Sequence, residues 1–324
     1  HDFTEWSKTE FDLISEDQGQ IKSTISNAVE TGMVRHATVG YFMAKTYDFL
    51  TKVGIDNSKI RFRQHETTEM AHYATDCWDA EILGSYGWVE CVGIAHRGCY
   101  DLESHENYTG KSLRARREFS SPKEVIFDGW TIDGATAGPA FRALAGKVKT
   151  SVEQFPAEQE FPCVIEIEGQ KITIEEEHVK RVKRIDLVTG EWFIPHVVEP
   201  AFGIDRIIWH ILDHAYEETT KQDQNYTIMK LSKNIVPIDF AVFPLFEKDG
   251  MKEIASSINE QINSRFGVVS VYDSSGSIGR RYARADEIGI PICVTIDHQS
   301  VTDNTVTVRD RDTGEQTRVK ISDL

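Results

Sequence analysis

The sequence predicts an α+β protein: an antiparallel sheet with helices, interrupted by an insertion and followed by a smaller α/β domain. Short alternating runs of apolar and polar residues follow one another between residues 60 and 95 with tight turns between them, which favours antiparallel pairing. The pattern lapses between 103 and 188, where a basic, polar run and a separate hairpin take its place. From Lys233 onward, strands alternate with amphipathic helices, as in a compact α/β domain. The expected domains are 1–102 with 189–225, the insertion 103–188, and the last domain 233–324.

Residues 16–54 read as helical, because Ile21, Ile25, Ala28 and Val29, then Val39, Phe42, Met43 and Leu50, recur at near-helical spacing. Ile60 to Gln64 alternates as a strand, 69–74 has the look of a short helical turn, and Trp78 to Ile82 alternates again. Val89 to Ala95 is a buried strand candidate after the turn Gly84-Ser85-Tyr86-Gly87. In the insertion, Pro139 to Val148 is expected to be a short helix with Pro139 in its first turn, and 163–174 a hairpin. Val197 to Glu199 is a strand. Ile204, Ile207, Ile208, Ile211, Leu212 and Ala215 form an apolar helical face behind it, and 218–232 reads as a polar linker. The last domain is expected to run strand 238–246, helix 251–266, strand 268–272, helix 278–288, strand 291–296, and a final pair of strands around Asp312-Thr313-Gly314.

Of 324 residues, 40% are hydrophobic and 27% charged, which excludes disorder as the main state. The longest apolar stretches, such as Phe240 to Phe246, are far too short to span a bilayer, so no membrane partner is expected. Five cysteines without a C-x-x-C pair support neither a disulfide framework nor a zinc ribbon, and the expected setting is cytoplasmic. The net charge of -16 argues against indiscriminate nucleic-acid binding. That charge is uneven: from Lys233 onward 11 Lys and Arg face 14 Asp and Glu, leaving 25 against 38 upstream. The chain opens on His1 rather than Met, which suggests a cut or late-starting N-terminus.

Three segments carry chemistry. In Glu199-Pro200-Ala201-Phe202-Gly203-Ile204-Asp205-Arg206 a strand ends on a carboxylate, a glycine permits close approach, and an arginine opens a helix where it can clamp phosphate or stack on a base. An ordinary strand–helix corner with a surface salt bridge would read the same way. Glu90, set in a strand between apolar Val89 and Val92, needs a cation. Magnesium held with nucleotide phosphates is one such cation, and a structural pair with Arg97 is another. In Asp273 to Arg284 a loop of small residues opens a helix bearing Arg280, Arg281 and Arg284, a pattern suited to phosphates or bases and equally to a solvated basic face. It is no P-loop, since that motif's lysine is absent. Cys77, Cys91 and Cys99 lack zinc-ligand spacing and read as buried apolar residues. Lys111, Arg114, Arg116 and Arg117 suit either a phosphate backbone or a soluble loop. The run Glu175 to Arg184 reads as a solvated face.

Together these segments resemble the glycyl-tRNA synthetases of archaeal and eukaryotic type. The most specific stretches are Arg61-Phe62-Arg63-Gln64-His65, Glu69 to Ala74, Asp76 to Glu81, Asp273 to Glu287, Val294 to Asp297 and Val308 to Asp312. The resemblance implies a class II aminoacyl-tRNA synthetase: an antiparallel catalytic sheet, here incomplete, with an insertion and a C-terminal α/β anticodon-binding domain. It implies a glycine–tRNA ligase that uses ATP and Mg2+ to form glycyl adenylate and passes glycine to tRNA(Gly), working as a homodimer when the full-length chain is present. Glu90 and Cys91 would then lie at ATP, with Glu90 a magnesium contact and a catalytic residue beside Arg206, the family's motif 3 arginine on ATP. Glu199, Pro200 and Ala201 would lie at glycine, and Arg280, Arg281 and Arg284 at tRNA.

The sequence departs from the family at position 201, where alanine replaces the family's serine and one polar contact to glycine is lost. The family's motifs 1 and 2 fall upstream of the region matching His1. Phe62-Arg63-Gln64-His65-Glu66 imitates the start of motif 2 but aligns elsewhere. The expectation is therefore a fragment, a late-start gene model or one subunit of a split enzyme, inactive alone. The alternative is an inactive, nucleic-acid-binding paralogue.

Overall fold

The computed structural model describes residues 3–221 and 224–324. His1, Asp2 and, in the expected linker, Gln222 and Asp223 lie outside the described residues. The chain forms two compact units. One runs to Asp101 and resumes over His196–Leu324, and the other is Leu102–Pro195. No described helix is long and apolar enough to cross a membrane.

The first sheet begins where a helix was expected. β1 (Phe11–Ser15) and β2 (Gly19–Ser23) form an antiparallel hairpin, and Gly19 takes the left-handed backbone (φ +68°) that the tight turn requires. The spacing of Ile21, Ile25 and Ala28 imitates a helical face. Tertiary burial of Phe11, Leu13 and Ser15 at strand period prevails instead. Helix begins only at α1 (Ile25–Glu30), where the Thr24 hydroxyl accepts the Asn27 N–H as a cap, and continues in α2 (Ala37–Lys52). Strands β3 (Ile60–Gln64), β4 (Asp76–Gly84) and β5 (Gly87–Gly98) follow, and the 69–74 stretch between β3 and β4 is turns rather than helix.

Phe62, Trp78, Ala80, Ile82, Val92 and Ile94 project from one face of this sheet and pack in a core shared with Val39, Met43 and Leu50 of α2. Strand alternation therefore turns Arg61, Arg63, Cys77, Asp79, Glu81, Gly93 and Ala95 to the opposite face.

The second unit holds most of α3 (Tyr100–Thr109), then β6 (Ala115–Ile132), α4 (Gly134–Phe141), α5 (Ala145–Val152), β7 (Cys163–Ile167), β8 (Gln170–Ile174) and β9 (Val179–Phe193). β6 and β9 make a long two-stranded ribbon. Val148, Val152, Ile167, Ile174 and Val179 form a small core of their own. Pro139 sits in the middle of α4, not its first turn. It withdraws one helical hydrogen bond, and the helix breaks at Arg142 (φ +45°) before resuming as α5. The basic runs are paired: Arg114 with Glu106, Arg117 with Glu191, and Arg181 and Lys183 with Asp128.

Back in the first unit, β10 (Val197–Phe202) joins the edge of the first sheet, whose order is β10-β5-β4-β3-β1-β2. All its pairings are antiparallel except β1 with β3. Helix α6 (Ile204–Ala215) buries Ile207 and Ala215 but leaves Ile204, Ile208 and Leu212 exposed, so only part of its apolar face meets the core.

The expected linker is in fact a hairpin, β11 (Tyr216–Lys221) with β12 (Gln224–Met229). It reads as polar because little of it is buried, Ile228 excepted. The remaining elements are β13 (Phe240–Pro244), α7 (Met251–Asn263), β14 (Ser270–Tyr272), α8 (Ile278–Glu287), β15 (Ile292–Ile296), α9 (His298–Asp303), β16 (Thr305–Asp310) and β17 (Gln316–Lys320). Their sheet has the order β14-β13-β15-β16-β17, parallel through the first three strands and antiparallel after. Val242 and Val294 face a core with Met251, Ile258 and Ile262 of α7, while Phe243 and Cys293 face Ala285 of α8. The six-residue α9 is too short to show a period, and its signal is the Asp297–Ser300 capping box.

Candidate functional site

The site face is shaped by a β-bulge. Ala80 of β4 pairs with Val92, yet the next residue, Glu81, pairs with Glu90, so Cys91 is the extra residue of β5. The bulge turns two successive carbonyls toward the start of α6. The Gly203 N–H donates to Cys91 O at 2.8 Å, and Arg206 Nη1 donates to Glu90 O at 2.7 Å. A Cβ on Gly203 would stand 3.1 Å from Cys91 O, so the close approach favours glycine. The Arg206 guanidinium also lies 3.8 Å from Glu90 Oε1, and both side chains are more than half exposed. Glu90 thus meets Arg206 and not Arg97.

The bulge buries the Cys91 side chain, and burial pushes its thiol up to about 11. Cys91 therefore presents its backbone to the site and keeps its sulfur in the core, 3.6 Å from His210 Nδ1.

On β10, Glu199 pairs with Ala95, Pro200 with Ile94, and Ala201 with Gly93. Glu199 and Ala201 share the site face, whereas Pro200 takes the core-facing register of Ile94. Proline is tolerated here because β10 is an edge strand. Glu199 is held by Arg97, which also donates from Nε to Asp101 at 2.8 Å and lies over the Tyr73 ring at 3.9 Å. The corner thus does carry a salt bridge, with Arg97 as its cation.

Beside this corner runs a charged lattice to which the sequence reading gave no role. Arg61 Nε donates to Glu81 at 2.6 Å, and Arg63 reaches Glu69 at 2.9 Å, Asp79 at 3.2 Å and Glu81 at 3.3 Å. His65 Nε2 lies 2.6 Å from Asp79 Oδ2. That hydrogen bond, with one to Cys77, raises the imidazole to about 10. The signal was the period-two placement of charge in Arg61-Phe62-Arg63 and Asp79-Ala80-Glu81.

At the far end of β4 and β5, His36 stacks on His96 with ring centres 3.6 Å apart, and His196 meets the same ring at 5.1 Å. Burial and the two neighbouring rings lower His96 to about 4. The folded state binds its proton less well than the unfolded chain, so the stabilisation is complete above about pH 6.5 and is lost as pH falls toward 4. Unfolding followed between pH 7 and pH 4.5 should show a loss of roughly 2 kcal/mol that His96→Gln reduces. An unchanged slope in the variant would rule His96 out as its source.

In the last domain, Arg280 is exposed at the first turn of α8. Arg281 is not: it is 4% exposed and donates to Pro244 O at 2.5 Å and Gly276 O at 2.8 Å. It therefore braces the loop from within. Arg284 donates to Asp273 and to Ser275 O, closing the other side of the same loop. A cleft of about 470 Å³ opens there, lined by Phe246, Glu247, Ser274, Ser277, Ile278 and Arg281 among others.

Residues 239–324 match a family described as anticodon binding domain. Over 324 aligned residues the chain is 43% identical to the glycine–tRNA ligase of Methanocaldococcus jannaschii, covering 96% of this chain and 55% of that protein. The glycine–tRNA ligase of Archaeoglobus fulgidus is 42% identical, with 99% and 56% covered, and that of Methanococcus maripaludis 40% identical, with 97% and 56% covered. The chain spans about half the length of these relatives. The resemblance to glycyl-tRNA synthetases therefore extends through nearly the whole chain, including the first sheet and the second unit.

Proposed function

We propose that this chain, a glycyl-tRNA synthetase by resemblance, supplies part of the catalytic sheet, the insertion and the anticodon-binding domain of a class II glycine–tRNA ligase. The enzyme would act in the cytoplasm as a homodimer, with glycine, ATP and tRNA(Gly) as its substrates. The observation that carries the reading is the bulge at Cys91, which joins the Arg206 guanidinium to the Glu90 backbone beside the face holding Glu199. An ordinary strand–helix corner has no need of a bulge, a glycine and an exposed arginine aligned on one point.

In the first step a glycine carboxylate oxygen bonds to the α-phosphorus of ATP and pyrophosphate leaves. In the second, the terminal adenosine hydroxyl of the tRNA attacks the glycyl carbonyl and AMP leaves. Arg206 would offset the phosphate charge and stack on adenine. Glu199, oriented by Arg97, would accept hydrogen bonds from the glycine ammonium. Gly93 and Ala201, paired across β5 and β10, leave the adjoining surface small. The rate gain expected of such a site comes from positioning and from charge stabilisation.

Glu90 fits magnesium on its exposure and its chemistry. Its carboxylate is more than half exposed, and Arg206, at 3.8 Å, is beyond hydrogen-bond distance. When bound, that ion would neutralise phosphate charge.

The test is ATP affinity of the purified chain. A charge-assisted contact is worth about 1.5–3 kcal/mol, so Arg206→Ala should weaken binding roughly 10- to 100-fold while Lys183→Ala leaves it unchanged. Equal, small effects from the two changes would reduce Arg206 to a surface residue.

A further inference from the structure

We propose that His65, Cys77 and Asp79 form a zinc site on the charged face of the first sheet, with one coordination position open toward the space above Gly93. The proposal does not depend on the ligase reading.

The backbone alone brings the three residues together. Cys77 and Asp79 lie two apart on β4 and so share a face. The His65 N–H donates to Cys77 O at 3.0 Å, which sets the histidine directly across from the cysteine. As a result the possible ligand atoms of all three residues lie within 4.8 Å of one another, the one such cluster of histidine, cysteine and carboxylate among the described residues.

The donor set selects the ion. One imidazole nitrogen, one sulfur and one carboxylate oxygen suit zinc, whereas magnesium and calcium favour oxygen alone. Three protein ligands with an open fourth position is the arrangement of a zinc ion that also holds water or a substrate group. Space for that fourth ligand exists: a Cβ built on Gly93 would find only Asp79 Oδ1 within 4 Å, at 3.7 Å.

The surrounding charges tolerate the ion. The carboxylates of Asp79, Glu69 and Glu81 cluster around Arg63 on this face and offset part of the ion's charge. Its competitor is Arg63, whose Nη2 lies 3.2 Å from Asp79 Oδ2. Arg63 also reaches Glu69 and Glu81, and these keep it paired when that oxygen turns to the ion.

The experiment uses the purified chain without a histidine tag. It is mixed with zinc and desalted, and metal per chain is counted. A parallel sample takes cobalt, whose bond to a thiolate gives a charge-transfer absorption. The expected result is about one zinc per chain and a thiolate–cobalt band. Both should fall at least about tenfold in Cys77→Ser and in His65→Gln, and neither in Cys99→Ser. The cobalt band of the unaltered chain decides the matter even if a variant fails to fold. Less than about a tenth of a zinc per chain, no thiolate band, or a Cys77→Ser chain that holds as much metal as the original would each overturn the proposal.

Discussion

Asp286→Ala lowers the stability of the C-terminal domain by about 3–5 kcal/mol, the usual cost of leaving one member of a buried ion pair alone. Arg309 donates to both Asp286 oxygens, at 2.7 and 2.9 Å, and the two side chains are 7% and 0% exposed. The Tyr226 hydroxyl, from β12, donates to the same carboxylate. Arg311, likewise buried, donates to Gly289 O and to Leu231 O just beyond β12. The hairpin that precedes the last domain is thus bonded into it by buried charge. Chemical unfolding followed by a probe in this domain measures the loss. Replacing the pair together, as Asp286→Leu with Arg309→Met, should recover most of it, because no lone charge remains. A loss under 1 kcal/mol for Asp286→Ala would show that water reaches the pair. The same bonds predict that a fragment starting at residue 233 is less stable than one starting at 216, although its strand and helix pattern closes on itself.

Arg281→Ala should cost about 2–3 kcal/mol, since two carbonyl oxygens, on Pro244 and Gly276, lose a charged donor inside the fold. Arg280→Ala, one residue away but exposed, should leave stability within about 0.5 kcal/mol. The thermal midpoint of each variant distinguishes the two. Equal midpoints would mean that Arg281 is not the brace that its burial indicates. This reverses the expectation that all three α8 arginines serve RNA alike. Any loss of RNA binding in the Arg281 variant is then expected to come from a loosened loop at Asp273–Ser277.

Much of the fold was legible because its periods are clean. β3, β4 and β5 alternate, α7 repeats Ile254, Ile258 and Ile262, and Gly169 marks the hairpin of β7 and β8. The errors share a cause in tertiary packing. Ile21 and Ile25 have helical spacing, yet the first lies in a hairpin whose partner strand is held by the buried Phe11 and Leu13. β11 and β12 carry too little apolar surface to announce themselves, and their anchor, Tyr226, finds its partner 60 residues away.

The site followed the same rule. Glu90, Glu199 and Arg206 were visible because strand ends, glycine and charge cluster in sequence. The bulge that joins Arg206 to the Glu90 backbone was not, since it consists of a pairing offset between β4 and β5. Nor could the sequence tell that Arg281 points inward while its neighbour Arg280 does not, because helical phase against the sheet decides it.

The most direct test of the ligase reading is a competition between two tRNAs for the purified chain, identical but for the anticodon, one bearing that of glycine and the other an exchanged triplet. Contacts to bases are worth about 1–3 kcal/mol each, so the chain should prefer the glycine anticodon by about tenfold or more, and Arg280→Ala should weaken binding. Equal affinity for the two tRNAs, unchanged by Arg280→Ala, would contradict the assignment.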